Sequence, residues 1–346
     1  MSTTISLIER PENEPVLAYG PGSSEREQVQ RALSEFKGEK PLPSIVNGQA
    51  VESKRTANVV SPHDHQRVLG RAHMASPETV TRAIDSALSA KHEWAALAFD
   101  ARAAVFLRAA ELLATRHRGR LNAATMLGQS KTVHQAEIDS AAELVDFFRF
   151  NAWYARRLIE EQPLSPKGLW NQLDYRPLDG FVFAITPFNF TAIAGNLPAA
   201  PALMGNTVVW KPARTQALAA QVTMEILQEA GLPPGVINLV HGEGADVGDI
   251  VLKHADLGGV HFTGSTGTFQ HIWRTVGENI SGYRQYPRLV GETGGKDFVV
   301  AHPSADFRAL TVALARGAFE YQGQKCSAAS RAYIPKSTWP ELADAL

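Results

Sequence analysis

The chain holds one thiol, Cys326, in the run Gly323-Gln324-Lys325-Cys326-Ser327. A lone cysteine has no intrachain disulfide partner and suits a reducing compartment, where it is either inert packing or a reactive group. Lys325 places a cation beside it, which would favour the thiolate. Upstream, Gly291-Glu292-Thr293-Gly294-Gly295-Lys296 sets a carboxylate among glycines that allow close backbone approach. Two glycine-bearing stretches follow apolar runs and compete for a phosphate-holding role. His241-Gly242-Glu243-Gly244-Ala245-Asp246-Val247-Gly248 is one residue longer than a dinucleotide fingerprint, and Glu243 would repel phosphate, so it reads as a strand–helix turn. Gly264-Ser265-Thr266-Gly267-Thr268 offers small residues and backbone N–H groups at a helix start, which suits a pyrophosphate. Two further blocks are Thr186-Pro187-Phe188-Asn189-Phe190 and Trp210-Lys211-Pro212. His63 and His65 flank Asp64, but no second cluster completes a metal site, so a solvated turn is expected. Arg116-His117-Arg118-Gly119-Arg120 reads as the basic end of a helix, favourable to its dipole, and not as a nucleic-acid contact.

Several elements must position these groups. Residues 1–40 are polar with Pro and Gly, and read as a poorly packed arm. Ser76-Pro77-Glu78 starts a helix, with a cap, a first-turn proline and an acid at the positive end. Val80, Ile84, Ala87 and Leu88 recur at helical spacing, as do Val105, Ala109, Leu112 and Leu113. A third helix is expected over 132–160. Residues 162–180, with Pro163, Pro166, Gly168, Pro177 and Gly180, read as an extended excursion. Apolar strands are then expected over 181–185, 207–210, 236–240 and 259–263. Helices lie between them, the clearest over 215–230 and closed by Gly231 and Pro233. Uniformly apolar strands alternating with helices imply a parallel sheet covered on both faces, which binds nucleotides at its strands' carboxyl ends. A second α/β segment follows, with strands at 298–300 and 331–334, a helix over 304–321 and a last helix from 337 or 338.

Bulk composition agrees. The 346 residues suggest two domains, and 34 basic against 35 acidic residues leave no basic excess for nucleic acid or anionic membranes. The charge-free run 181–210 contains Pro187, Pro198 and Pro201, which break a helix, so a strand–loop–helix is expected there and not a membrane span.

The five blocks, in this order and with thirty-four residues from Glu292 to Cys326, resemble the aldehyde dehydrogenase superfamily over the chain from about residue 45. The stretch from Gln135 to Asn151, Pro187-Phe188-Asn189-Phe190-Thr191, and Phe319 to Cys326 are similar to the pyrroline-5-carboxylate dehydrogenases within it. The resemblance implies an α/β fold, with a Rossmann-like parallel-sheet domain for NAD and an incomplete α/β catalytic domain. The implied division is an arm at 1–40, a dinucleotide domain at 41–161 and 181–294, an oligomerisation hairpin at 162–180, and a partial catalytic domain at 295–346. It also implies oxidation of L-glutamate γ-semialdehyde to glutamate in proline degradation, through a thiohemiacetal and a thioester. Cys326 would be the nucleophile, Asn189 the oxyanion amide and Glu292 the base. Thr186, Phe188, Lys211, Gly264, Ser265, Thr266, Gly267 and Thr268 would hold the cofactor, and Glu143, Phe190 and Ser327 the substrate; Glu143 also fits a plain helix-face carboxylate. Arg214 departs from the family's acid for the ribose hydroxyls and could tolerate a 2′-phosphate, so NADP stays open beside NAD.

Members of the family continue well past the nucleophile, whereas this sequence stops twenty residues after Cys326. The resemblance therefore implies a C-terminally shortened chain that is inactive as it stands, from a protein that assembles as a homodimer or larger homo-oligomer. Another semialdehyde dehydrogenase and a non-catalytic nucleotide-binding fragment remain alternatives. The first thirty residues are acid-bearing and lack an apolar core, which leads us to expect a bacterial cytoplasmic protein, with the mitochondrial matrix as the alternative.

Overall fold

The computed structural model describes residues 8–346, so the first seven residues of the expected arm lie outside the described residues. Contacts divide the chain into a larger unit, Met1–Thr263 with Gln270–Gly291, and a smaller one, Gly264–Phe269 with Glu292–Leu346.

The larger unit opens with helix α1 (Ser24–Glu35), capped by the Ser23 hydroxyl, which accepts from the Arg26 N–H. Short strands β1 (Lys40–Leu42), β2 (Ser44–Val46) and β3 (Gln49–Val51) precede the hairpin β4 (Thr56–Ser61) and β5 (Asp64–His73). Helix α2 (Pro77–Ala96) starts where Ser76 accepts from the Thr79 N–H and proline takes the first turn, as its sequence predicts. Next come α3 (Phe99–Leu112), α4 (Arg118–Gln129), α5 (Val133–Ala136) and α6 (Glu143–Glu160), with π-helical stretches at Leu113–His117 and Glu137–Ala142. After residues 162–180 the alternating part follows: β6 (Phe181–Thr186), α7 (Thr191–Leu203), β7 (Val208–Pro212), α8 (Ala217–Glu229), β8 (Ile237–Leu239), α9 (Gly244–Val251), β9 (Leu257–Gly264), α10 (Thr266–Glu278) and β10 (Arg288–Thr293).

These strands make a seven-stranded sheet in the order β10-β9-β6-β7-β8-β2-β3. β6, β7, β8 and β9 run parallel, while β2 pairs antiparallel with β8 and β3. The central strands are uniformly buried, and Phe181, Phe183 and Trp210 are among the largest wholly enclosed side chains. Each contributes about 1.5–3 kcal/mol of transfer free energy or more. A separate three-stranded sheet has the order β1-β5-β4.

Three expectations need correction. The arm is not poorly packed in its described part: Tyr19, Val29, Ala32 and Phe36 are buried, and α1 lies on α4. The Tyr19 hydroxyl donates to Glu137, whose carboxylate is wholly enclosed and also meets the Leu17 N–H, Asn122 and Arg118. The basic run 116–120 does not end a helix, because the chain continues through the π-helical stretch into α4, and Arg118 is buried on Glu137 and Glu14. Pro198 and Pro201 do not break a helix, for both lie inside α7. A short helix between sheet and neighbouring helices replaces the lost backbone bonds with packing on all sides; Ala192, Leu197, Ala199 and Ala202 are all enclosed. Among the described residues no helix is long and apolar enough to cross a membrane. Residues 162–180 form no helix or strand, and Leu164 and Trp170 are 92% and 82% exposed.

The smaller unit contains β11 (Phe298–Val300), α11 (Phe307–Phe319), β12 (Arg331–Tyr333) and α12 (Trp339–Ala345). β11 and β12 pair in parallel, and Leu310, Leu314 and Leu342 pack with Val299, Phe307 and Ile334 into a compact core. The Asp306 carboxylate caps α11 by accepting from the Ala309 N–H.

Candidate active site

In the smaller unit the chain leaves α11 through Tyr321, Gln322 and Gly323, three successive residues with positive φ of 51°, 55° and 68°. Two of the three are not glycine, so the bend stores on the order of 1–2 kcal/mol per residue. The bend delivers Cys326, half-buried, to the Glu292 carboxylate at the end of β10. Burial pushes the Cys326 thiol above its ordinary range, and the charge of Glu292 and its hydrogen bond to the thiol push the same way. Gly295 lies against this turn: a Cβ built there would sit 1.9 Å from the Cys326 carbonyl oxygen, so any side chain at 295 would displace the thiol's backbone. The expectation for Lys325 is overturned. Its ammonium turns back to Glu320, 3.4 Å away, and the dominant charge on Cys326 is the anion of Glu292. Ser327 is exposed beside it.

The turn Gly264–Phe269 groups with this unit and not with the strand it follows. Gly264 ends β9, and Thr266, Gly267 and Thr268 open α10. The Ser265 hydroxyl accepts from the Thr268 N–H at 3.2 Å, leaving the preceding amides toward solvent. Ser265 to Thr268 are exposed, and nothing lies within 4 Å of where a Cβ on Gly267 would be. An open helix start of this kind is an anion cradle.

The other residues singled out from sequence lie in the larger unit. Thr186 ends β6 with its hydroxyl buried, accepting from the Trp210 indole N–H at 3.0 Å. Beyond it Phe188 is exposed, Asn189 half-buried and Phe190 buried. This loop is held from three sides. Gln216 donates to the Phe188 carbonyl at 3.2 Å. Gln129 and Thr125 meet the Thr191 hydroxyl at 2.7 and 2.8 Å. The Lys131 ammonium, fully enclosed and 2.6 Å from Asp139, lies 4.6 Å from the centre of the Phe190 ring. Glu143, half-buried, is the first residue of α6. Lys211, near the carboxyl end of β7, donates to the Pro212 carbonyl at 3.2 Å. Burial lowers its pKa, and the nearby Glu243 carboxylate opposes that shift.

Residues 49–346 match the aldehyde dehydrogenase family. The chain belongs to that family. A delta-1-pyrroline-5-carboxylate dehydrogenase of Agaricus bisporus is 50% identical over 330 residues, which is 94% of this chain and 60% of that protein. A mitochondrial delta-1-pyrroline-5-carboxylate dehydrogenase of Homo sapiens is 48% identical over 331 residues, 95% of this chain and 59% of that protein. A crystal structure of the delta-pyrroline-5-carboxylate dehydrogenase of Mycobacterium tuberculosis bound with NAD superposes with a TM-score of 0.96 at 56% identity, over 99% of this chain and 64% of that one. The α/β architecture is therefore the aldehyde dehydrogenase fold, and the chain spans about three-fifths of the length of the curated relatives it matches.

Within this aldehyde dehydrogenase chain, sequence reasoning missed the supports more than the chemistry. The Lys131–Asp139 pair under Phe190 left no signal in spacing, since Ser130 between α4 and α5 must first turn left-handed, with φ of 58°. Glu243, set aside as repelling phosphate, faces both Lys211 and Arg214.

Proposed function

We propose that the whole protein oxidises L-glutamate γ-semialdehyde to glutamate with NAD, in proline degradation. The observation that carries the reading is the Cys326 turn packed against Gly295 beside Glu292, whose charge acts on the thiol, since a nucleophile and its base must lie within reach of one another. The relatives of like sequence support the substrate, and the NAD-bound relative supports the cofactor.

The residues present fit a dinucleotide. The amides of Ser265, Thr266 and Gly267 and the hydroxyl of Thr268 would face its phosphates, with Gly264 admitting the backbone closely. Lys211 would meet a ribose, and Thr186 and Phe188 the nicotinamide half. When bound, NAD supplies a hydride acceptor. In the resting state Glu292 accepts the thiol hydrogen bond, and the raised pKa keeps sulfur protonated until an aldehyde arrives. As the Sγ–carbon bond forms, the thiol proton passes to the Glu292 carboxylate and the carbonyl oxygen becomes an anion. The Asn189 amide and the Cys326 backbone N–H would hold that anion. After hydride loss the carbon is a thioester. Glu292, having returned its proton to solvent, takes one from water as the hydroxide attacks, and Cys326 leaves as the thiolate. Glu143, Phe190 and Ser327 would position the substrate.

Residues 162–180, with their exposed apolar side chains, would join copies of the protein into a homodimer or larger homo-oligomer.

Mass spectrometry of the whole protein with NAD and the semialdehyde tests the chemistry. The Glu292→Gln variant should accumulate a glutamyl thioester on Cys326, and Cys326→Ser should carry no adduct. An adduct on another residue, or none under any condition, would sink the assignment.

A further inference from the structure

Beneath the loop that carries Asn189, an enclosed ion pair meets an aromatic ring. The Lys131 ammonium is 2.6 Å from the Asp139 carboxylate, and their side chains are 0% and 4% exposed. The same ammonium lies 4.6 Å from the centre of the Phe190 ring, itself buried. Both charged partners are held by unusual backbone. Ser130, just after α4, is left-handed with φ of 58°, and its hydroxyl meets the His63 ring at 2.8 Å. A residue other than glycine is strained there, and such strain persists where the surroundings over-determine it. Thr132 then caps α5 by accepting from the Gln135 N–H, so Lys131 sits between two fixed turns. Asp139 lies in the π-helical stretch Glu137–Ala142, two residues after Glu137, and both carboxylates are buried. Residues two apart do not share a face of a helix. The stretch therefore sends one carboxylate to Arg118 and the other to Lys131.

Stability alone does not explain the pair, since an enclosed ion pair gains little over apolar side chains of the same volume. What it adds is direction: a cation attracts the face of a ring and so fixes where the ring lies. Phe190 follows Asn189 directly and stands just before α7, with extended backbone and no side-chain cap. We propose that Lys131 and Asp139 are positioning residues, which set the aim of the Asn189 amide through the Phe190 ring. The inference rests on the oxyanion role given to Asn189 above and deepens it. The neutral supports act on either side, at the Phe188 carbonyl and the Thr191 hydroxyl. They fix where the loop enters and leaves. The ammonium fixes the part between, where the amide must point. A donor stabilises a developing anion only when it is aimed in advance, and a misplacement of about 1 Å costs on the order of 100-fold in rate.

The test is steady-state kinetics of the whole protein with the semialdehyde and NAD, run as a double-mutant cycle against Asn189→Ala. Lys131→Met together with Asp139→Leu removes both charges, so neither is left enclosed alone, and the urea midpoint should stay near the parent's. Its kcat should fall about tenfold or more, with KM for NAD within about twofold. In the Asn189→Ala background the same two changes should lower kcat by less than about twofold, because the amide they aim is gone. If the paired variant does not fold, Phe190→Leu decides. It keeps an apolar side chain, removes the ring, and should lower kcat only where Asn189 is present, whereas loss of a plain substrate contact would appear in KM. Equal falls in kcat with and without Asn189, or no fall in either, overturn the inference while the oxyanion reading stands. If Asn189→Ala itself leaves kcat unchanged, the oxyanion reading fails and takes the inference with it.

Discussion

A thiol that shares its proton with a carboxylate is slower to ionise than a free one, and this sets the behaviour expected of Cys326. Removing the negative neighbour should make sulfur more acidic. Glu292→Gln is therefore expected to move the pH profile of Cys326 alkylation by iodoacetamide to lower pH, with faster labelling at neutral pH than in the parent. A profile that does not move would mean that Glu292 exerts no field on the thiol. His241 gives a second residue-scale prediction. It is enclosed, and burial first, then the charges of Lys211 and His73, lower its pKa from 6.5 to about 4. The unfolded chain takes up this proton near the ordinary value and the folded chain only near the lower one. Its contribution to stability is thus complete above 6.5, falls as the pH drops toward 4, and is lost below, with a span of about 3 kcal/mol. In urea melts at pH 7 and 4.5, His241→Gln should lose less stability on acidification than the parent. Sequence alone singled out Cys326 as the one thiol and Glu292 through the family resemblance, but not the environment of the thiol. Which anion faces it depends on a bend through Tyr321 and Gln322, two residue types that give no sign of a left-handed conformation.

The elements were legible where local chemistry decides and obscure where packing decides. Ser76-Pro77 fixes the start of α2, and the apolar runs at β6, β7, β8 and β9 announce a buried parallel sheet. The persistence of α7 through two prolines, and of the helix beyond Leu112 through a π-helical turn, comes from neighbours far along the chain. Glu137 in the second π-helical stretch shows how such a neighbour acts: donors from residues 17, 19, 118 and 122 converge on it. Arg118→Met would leave that carboxylate enclosed without its cation, at a cost of about 3–5 kcal/mol. Tyr19→Phe removes one neutral donor and should cost about 1–3 kcal/mol. The urea midpoints should follow that order; equal effects would show that Glu137 does not depend on its charge partner. In the smaller unit Gly295→Ala should force the Cys326 turn aside, and the rate at which Ellman's reagent reaches the thiol reads the displacement. An unchanged rate would place the close approach elsewhere.

At the scale of the molecule, sequence proposed two domains and the contacts divide the chain in two, but not along a single cut. The chain enters the smaller unit at Gly264, leaves it after Phe269, and returns at Glu292. No single scissile point separates the two bodies. A gene fragment encoding 292–346 would lack the turn at 264–269, and its product should show no cooperative melt, whereas a cut at Gly294–Gly295 in the intact chain should leave both pieces held together on a sizing column. The smaller body is also a late arrival during synthesis: its first strip emerges from the ribosome some twenty residues before the rest, and must wait for the segment carrying the thiol before it has anything of its own to pack against.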